Sequence, residues 1–159
     1  MMERKKIIQE TEQWLLHQNF RFSEKDLERP WGAFWHIQQE DTCDFLHKFF
    51  PDRSPVSMET SHISPKILLV LPHQRLSLQI HRKRSECWTI LRGPVEIVLG
   101  TVQQRYYPPK QLTIPVETPH RLIGLDEPGL VAEIWIHEDP LNPSSEEDIE
   151  RVEDDYQRN

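Results

Sequence analysis

The chain has 159 residues with 26 acidic and 19 basic side chains, a formal net charge of −7. That length suits one ordinary domain with a core of its own, and the negative balance excludes nucleic acid as the main partner, because that binding needs a basic face. No run approaches the roughly 18 apolar residues of a membrane span, and no apolar stretch follows the charged start of the chain, so a soluble, cytoplasmic protein is expected, with Cys43 and Cys87 as reduced thiols.

The first predicted element is a helix over residues 3–18. Ile7, Ile8, Thr11, Trp14 and Leu15 recur at helical spacing, with charged and amide residues opposite. Asn19 is its expected stop, and Ser23 and Glu24 fall in a connector. From Arg29 the texture changes, as proline and turn residues cut the chain into short pieces. Segments 32–38, 66–71, 76–81, 86–92, 94–100, 111–115, 120–125 and 130–137 read as strands. Residues 41–50 form a short amphipathic helix, and 51–64 a polar loop. The acidic tail from Ser144 carries a second, weaker helical signal. Many strands and few helices predict an all-β sandwich or barrel. The chain is read as one domain, with an N-terminal helix and connector (1–28), a barrel (29–137) and an acidic tail (138–159).

Chemistry gathers in three places. In Leu76-Ser77-Leu78-Gln79-Ile80-His81 the alternation puts Leu76, Leu78 and Ile80 on one strand face and Ser77, Gln79 and His81 on the other. After the basic turn Arg82-Lys83-Arg84-Ser85, a reversal of the chain brings Glu86 back toward His81. Further on, Ile114-Pro115 and Thr118-Pro119 precede His120 at the start of another strand. Two imidazoles, a carboxylate and an amide oxygen form a mixed nitrogen and oxygen set. Gln79, His81, Glu86 and His120 are therefore the expected ligands of one divalent metal, zinc first, with Mn, Fe, Co and Ni also suited.

The segment SPKILLVLPHQRLSLQIHRKRSECW resembles the metal-binding motif of the cupin domain in type II phosphomannose isomerases (mannose-6-phosphate isomerases). Arg29-Pro30-Trp31-Gly32, IPVETPHRLIG at 114–124, AEIW at 132–135 and EEDIERVEDDYQR at 146–158 extend the resemblance over residues 28–158. It implies a double-stranded β-helix (a jelly-roll barrel), one metal on the four residues named above, and interconversion of mannose 6-phosphate with fructose 6-phosphate. Pairing into a homodimer is a further implication. The chain departs from the family at three positions. Cys87 replaces a common His, Glu117 a Gly before the last metal-site His, and Gln157 the Gly of a terminal Tyr-Gly-Arg pattern. The family's nucleotidyltransferase domain has no counterpart in these residues.

An aldose–ketose isomerase needs an electrophile at the substrate oxygens, a base near carbon and an anchor for the phosphate. Glu133 is the expected base, since it is the one ionisable residue in Val131-Ala132-Glu133-Ile134-Trp135. An ion pair with an Arg is its alternative role. Arg84 and Arg151 are the expected phosphate anchors, with pairing to the acidic tail as the alternative. Lys66 touches the phosphate or lies at the barrel rim, and Arg29 and Trp31 form a pocket wall or pack on the barrel. His36, His47, His62, His73 and His137 carry no partner pattern. Two other readings stand beside the isomerase: a non-catalytic metal cupin that binds a sugar or sugar phosphate, and another cupin enzyme such as an oxygenase.

Overall fold

A computed structural model of the chain describes residues 2–53 and 60–158. Helix α1 (Met2–His17) leads into β1 (Phe22–Asp26) and β2 (Gly32–Ile37), and α2 (Thr42–Phe49) precedes β3 (Ile63–Val70). There follow β4 (Leu78–Ile80), β5 (Arg84–Arg92), β6 (Val95–Leu99), β7 (Val102–Tyr106), β8 (Lys110–Ile114), β9 (His120–Gly124), β10 (Gly129–His137) and β11 (Glu150–Glu153). Among the described residues these strands form two sheets, ordered β1-β2-β3-β10-β5-β8 and β11-β4-β9-β6-β7. All the named pairings are antiparallel. Among the described residues no helix is long and apolar enough to cross a membrane.

Alternation along the six-stranded sheet feeds two cores. Phe34, Leu68, Val70, Trp88, Ile90 and Val131 point between the sheets, where Val95, Ile97 and Leu122 meet them from the other side. Their neighbours Trp35, Ile67, Leu69, Cys87, Ala132 and Ile134 point outward, under Ile8 and Leu15 of α1 and Phe45, Leu46 and Phe49 of α2. With both faces covered, the central strands read as nearly continuous apolar runs, such as Ile67-Leu68-Leu69-Val70. Burying an aliphatic side chain contributes roughly 1.5–3 kcal/mol, so this outer layer anchors the sheet that carries most of the site.

Helix α1 follows its predicted face: Ile8, Thr11 and Leu15 are buried. It stops at Asn19, which takes the left-handed conformation with φ 65°. The Arg4 guanidinium then ties the helix to the β1–β2 connector, donating to the carbonyls of Leu27, Arg29 and Gly32 at 3.0, 2.8 and 3.0 Å. Gly32 is required at the turn into β2, because a Cβ there would lie 1.9 Å from the Leu69 carbonyl oxygen.

Several expectations are corrected. The tail is not helical: residues 150–153 form β11, which pairs with β4. Its alternating Arg151 and Val152 serve a strand, and the neighbouring strand supplies the backbone partners that a marginal helix lacks. Ser23 and Glu24 belong to β1, and 102–106 is a further strand; both lie at sheet edges and are too polar to show apolar alternation. The polar loop ends earlier than expected, since Ile63 and Ser64 already lie in β3, and its residues 54–59 lie outside the described residues. Leu76 does not share an outer layer with Leu78 and Ile80. It sits in the inner core, ahead of the short strand β4.

Candidate metal centre

The turn after His81 does not make a hairpin. Strand β4 lies in the five-stranded sheet and β5 in the six-stranded one, so residues 81–83 carry the chain from one sheet to the other. This crossing sets His81 and Glu86 face to face across the barrel interior. His120 opens β9, with Gln79 of β4 as its cross-strand partner. The ligand-type atoms of His81, Glu86 and His120 all lie within 4.8 Å of one another, and all three residues are buried.

Second partners fix the orientation of both imidazoles. His81 Nδ1 donates to the carbonyl of Asp148 at 2.6 Å, and His120 Nδ1 to the carbonyl of Thr118 at 2.8 Å. Each ring therefore turns Nε2 toward the interior, the nitrogen that metal-binding histidines use when the other is held. His81 Nε2 lies 3.4 Å from Glu86 Oε2, and His120 Nε2 lies 3.4 Å from Glu86 Oε1. His120 Nε2 is buried and makes no hydrogen bond. A buried nitrogen with no hydrogen-bond partner beside a carboxylate suits a cation, and these donors fit a divalent ion. Gln79 lines the same cavity, with its Oε1 accepting a 3.0 Å hydrogen bond from Ser77.

Arg84 opens β5 and turns inward. Its Nε donates to Glu86 Oε2 at 2.7 Å, its Nη1 to Ser144 Oγ at 2.7 Å and the Ser145 carbonyl at 3.0 Å, and its Nη2 lies 3.1 Å from His81 Nε2. Trp135 carries the guanidinium on its face at 3.7 Å. Burial alone would raise the Glu86 carboxyl, but Arg84 and the two imidazoles hold it well below the usual range. Burial, reinforced by the charge of Arg84, pushes His81 down to about 4.

Glu133 lies on β10, opposite Trp88 of β5 and Lys66 of β3. Among the described residues it makes no ion pair with an Arg; two indoles hold it, Trp88 Nε1 donating at 2.6 Å and Trp135 Nε1 at 2.8 Å. Burial, and then the charge of Glu86, pushes its carboxyl up to about 8. Lys66 is buried, not at the rim. It packs on the Phe34 face at 4.1 Å and donates to Glu146 Oε2 at 2.5 Å. Cys87 points away from the centre, where Arg53 Nη2 lies 2.9 Å from its sulfur.

The C-terminal segment, rather than a helix apart from the barrel, is a strap across this mouth. Ser144 and Ser145 hold Arg84, Glu146 bridges Lys66 and His36, Asp148 orients His81, and Arg151 pairs with Gln79 in register. The carboxylate of Asp148 also accepts from the backbone N–H groups of Arg82 and Lys83 at 3.0 and 2.9 Å, fixing the crossing turn. Sequence reasoning missed His36, Glu146 and Asp148. For His36 a signal existed: it shares the inner face of β2 with Phe34. For Glu146 and Asp148 no local signal distinguishes them from the other acidic residues of the tail. The enclosed cavity measures about 40 Å³, room for a few water molecules.

A two-sheet barrel with histidines and a glutamate converging between the sheets defines a cupin. A cupin-2 domain protein of Rhodospirillum rubrum superposes with a TM-score of 0.51 at 15% identity, covering 81% of this chain and 76% of its own. The family model described as mannose-6-phosphate isomerase, C-terminal, matches residues 54–154, and the chain belongs to that family. The alginate biosynthesis protein AlgA of Pseudomonas fluorescens is 32% identical over 136 residues, which cover 82% of this chain and 22% of AlgA. AlgA of Pseudomonas aeruginosa is 29% identical over 130 residues, 82% of this chain and 22% of that protein. Mannose-1-phosphate guanylyltransferase 2 of Escherichia coli O157:H7 is 25% identical over 134 residues, 84% of this chain and 23% of that one. The chain thus spans less than a quarter of the length of these relatives.

Proposed function

We propose that the chain is a metal-dependent aldose–ketose isomerase interconverting mannose 6-phosphate and fructose 6-phosphate. The observation that carries this reading is the pairing, in one cavity, of the His81–Glu86–His120 cluster with a second buried carboxyl, Glu133, of very different proton affinity. Two carboxyls with pKa values pushed apart divide acid–base and charge-holding roles. Membership of the mannose-6-phosphate isomerase C-terminal family supports the substrate.

His81, Glu86 and His120, with Gln79 beside them, would hold one divalent ion, zinc first. Such an ion supplies Lewis-acid polarisation of the substrate's oxygens. Glu133 moves the proton between neighbouring carbons of the sugar; in the metal-free protein burial and the charge of Glu86 already raise its proton affinity to about 8. The indoles of Trp88 and Trp135 keep its two oxygens aimed. Arg84 orients Glu86 and offsets charge beside it, and Arg151 anchors the phosphate. The strap covers the centre and limits its contact with solvent, which strengthens each of these interactions.

One observation favours a second reading, a non-catalytic cupin that binds a sugar phosphate: Cys87 stands where the family commonly has a His and points away from the centre, so any catalytic part of that His is lost. The cavity of about 40 Å³ is far below the roughly 300–1,000 Å³ of small-molecule sites, so on either reading its lining must open before a sugar enters. The deciding experiment is a coupled assay of mannose 6-phosphate conversion by metal-loaded protein, with and without chelator. Turnover that stops on chelation supports the isomerase, and its absence in fully metallated protein supports the binding reading.

A further inference from the structure

Besides Arg84, three arginines line the same cavity from two parts of the chain. Arg29 comes from the β1–β2 connector, while Arg151 (on β11) and Arg158 belong to the strap. Each is positioned by other contacts. Arg29 lies over the Phe34 ring at 5.2 Å, with its Nε 3.1 Å from Asp26, and its backbone carbonyl is held by Arg4. Arg158 donates from Nε and Nη2 to Asp154 at 2.9 and 3.0 Å. Arg151 sits opposite Gln79 in register. Burial first, and then the charges of Arg158 and Arg29, lower the proton affinity of Arg151, so the three guanidinium groups feel one another.

Like charges gathered at a partly buried wall repel; Asp26, Asp154 and Glu146 offset part of that repulsion, and an anion in the cavity would offset more. Guanidinium forks match phosphate oxygens in pairs. We propose that Arg29, Arg151 and Arg158 form a phosphomonoester-binding site shared between the barrel and the C-terminal strap, so that a bound phosphate holds the strap closed over the metal centre. This deepens the sugar-phosphate reading and rests on it for the identity of the ligand. Two of the three arginines arrive with the strap, and the strap also aims His81 through Asp148, so occupancy of this site and completion of the centre are one event.

The test is titration calorimetry of the full chain with inorganic phosphate, mannose 6-phosphate and mannose, alongside amide exchange of residues 144–158. Phosphate should bind and slow exchange in the strap, mannose 6-phosphate should bind more tightly, and mannose alone should do neither. Arg29→Gln, which leaves the strap sequence intact, and Arg158→Gln should each weaken phosphate at least about tenfold. Asp154→Asn removes the counter-charge on Arg158 and should tighten phosphate several-fold, whereas a merely structural role for this pair predicts weaker binding. Unchanged affinity in both arginine variants, or weaker binding in Asp154→Asn, overturns the proposal. Binding through these arginines without turnover would leave the site standing and remove the isomerase reading. Turnover with KM unchanged in Arg29→Gln and Arg158→Gln would do the reverse.

Discussion

His81 Nδ1 donates to the backbone carbonyl of Asp148 at 2.6 Å, across 67 positions of sequence, so the strap aims an imidazole of the candidate metal centre. The Asp148 side chain reinforces this by capping the backbone of Arg82 and Lys83 just beyond it. Second partners of metal-binding histidines typically alter affinity by about 10–100-fold. Asp148→Ala keeps the carbonyl that accepts from His81 but removes the side-chain clamp on Arg82 and Lys83, and is expected to lower zinc affinity by about tenfold, measured by competition with a chromogenic chelator. Wild-type affinity in this variant would show that the clamp on the crossing turn does not matter to the centre.

Glu133→Gln should abolish proton transfer while leaving the ion in place. The side chain keeps its size, and one oxygen still accepts from an indole, so the local packing survives. A loss of turnover of about 10²–10⁴ is expected, with metal content unchanged by elemental analysis. Turnover within a few-fold of wild type removes Glu133 from the role of base.

Acid should loosen the strap in two stages. Burial holds His81 at about 4, below the roughly 6.5 of an unfolded histidine, so the unfolded chain binds the extra proton first. In metal-free protein the stability linked to His81 is complete above about pH 6.5 and is lost as pH falls toward 4. Glu146 is depressed by His36 and Lys66 against its burial, and Asp154 is held at about 2 by Arg158. Their contributions are complete above about pH 4.3 and 3.9 and decline below those values. Denaturant midpoints measured from pH 7 to 3 check the sign. Glu146→Gln should flatten the fall below pH 4.3 and leave the fall above it unchanged.

Glu117 and Gln157, which stand where the family commonly has Gly, both adopt left-handed backbone conformations, with φ 60° and 55°. A side chain there costs about 1–2 kcal/mol, offset in part by the entropy Gly loses on folding. Glu117→Gly and Gln157→Gly should each raise stability by about 0.5–1 kcal/mol, a rise of roughly 1–4 °C in the thermal midpoint. A lowered midpoint would show that contacts of the side chain outweigh the strain.

Strand alternation already prescribes a sandwich or barrel and the grouping of His81 with Glu86. Period-two alternation sorts Glu86 and Glu133 inward and Cys87 outward without reference to any distant residue, and the spacing of His81 and Glu86 across a short basic turn brings them together in either a hairpin or a sheet crossing. What sits around those groups was decided only in three dimensions. Edge strands such as Val102–Tyr106 are polar on both faces, so their pairing is set by the neighbour and not by their own pattern. Taken alone, the acidic tail carries a weak helical signal. The open edge of β4 converted it to a strand, and with it placed Glu146 on Lys66, Asp148 on His81 and Arg151 beside Gln79. Contacts between residues 66 or more positions apart depend on how two sheets close on one another, and no local period encodes that distance.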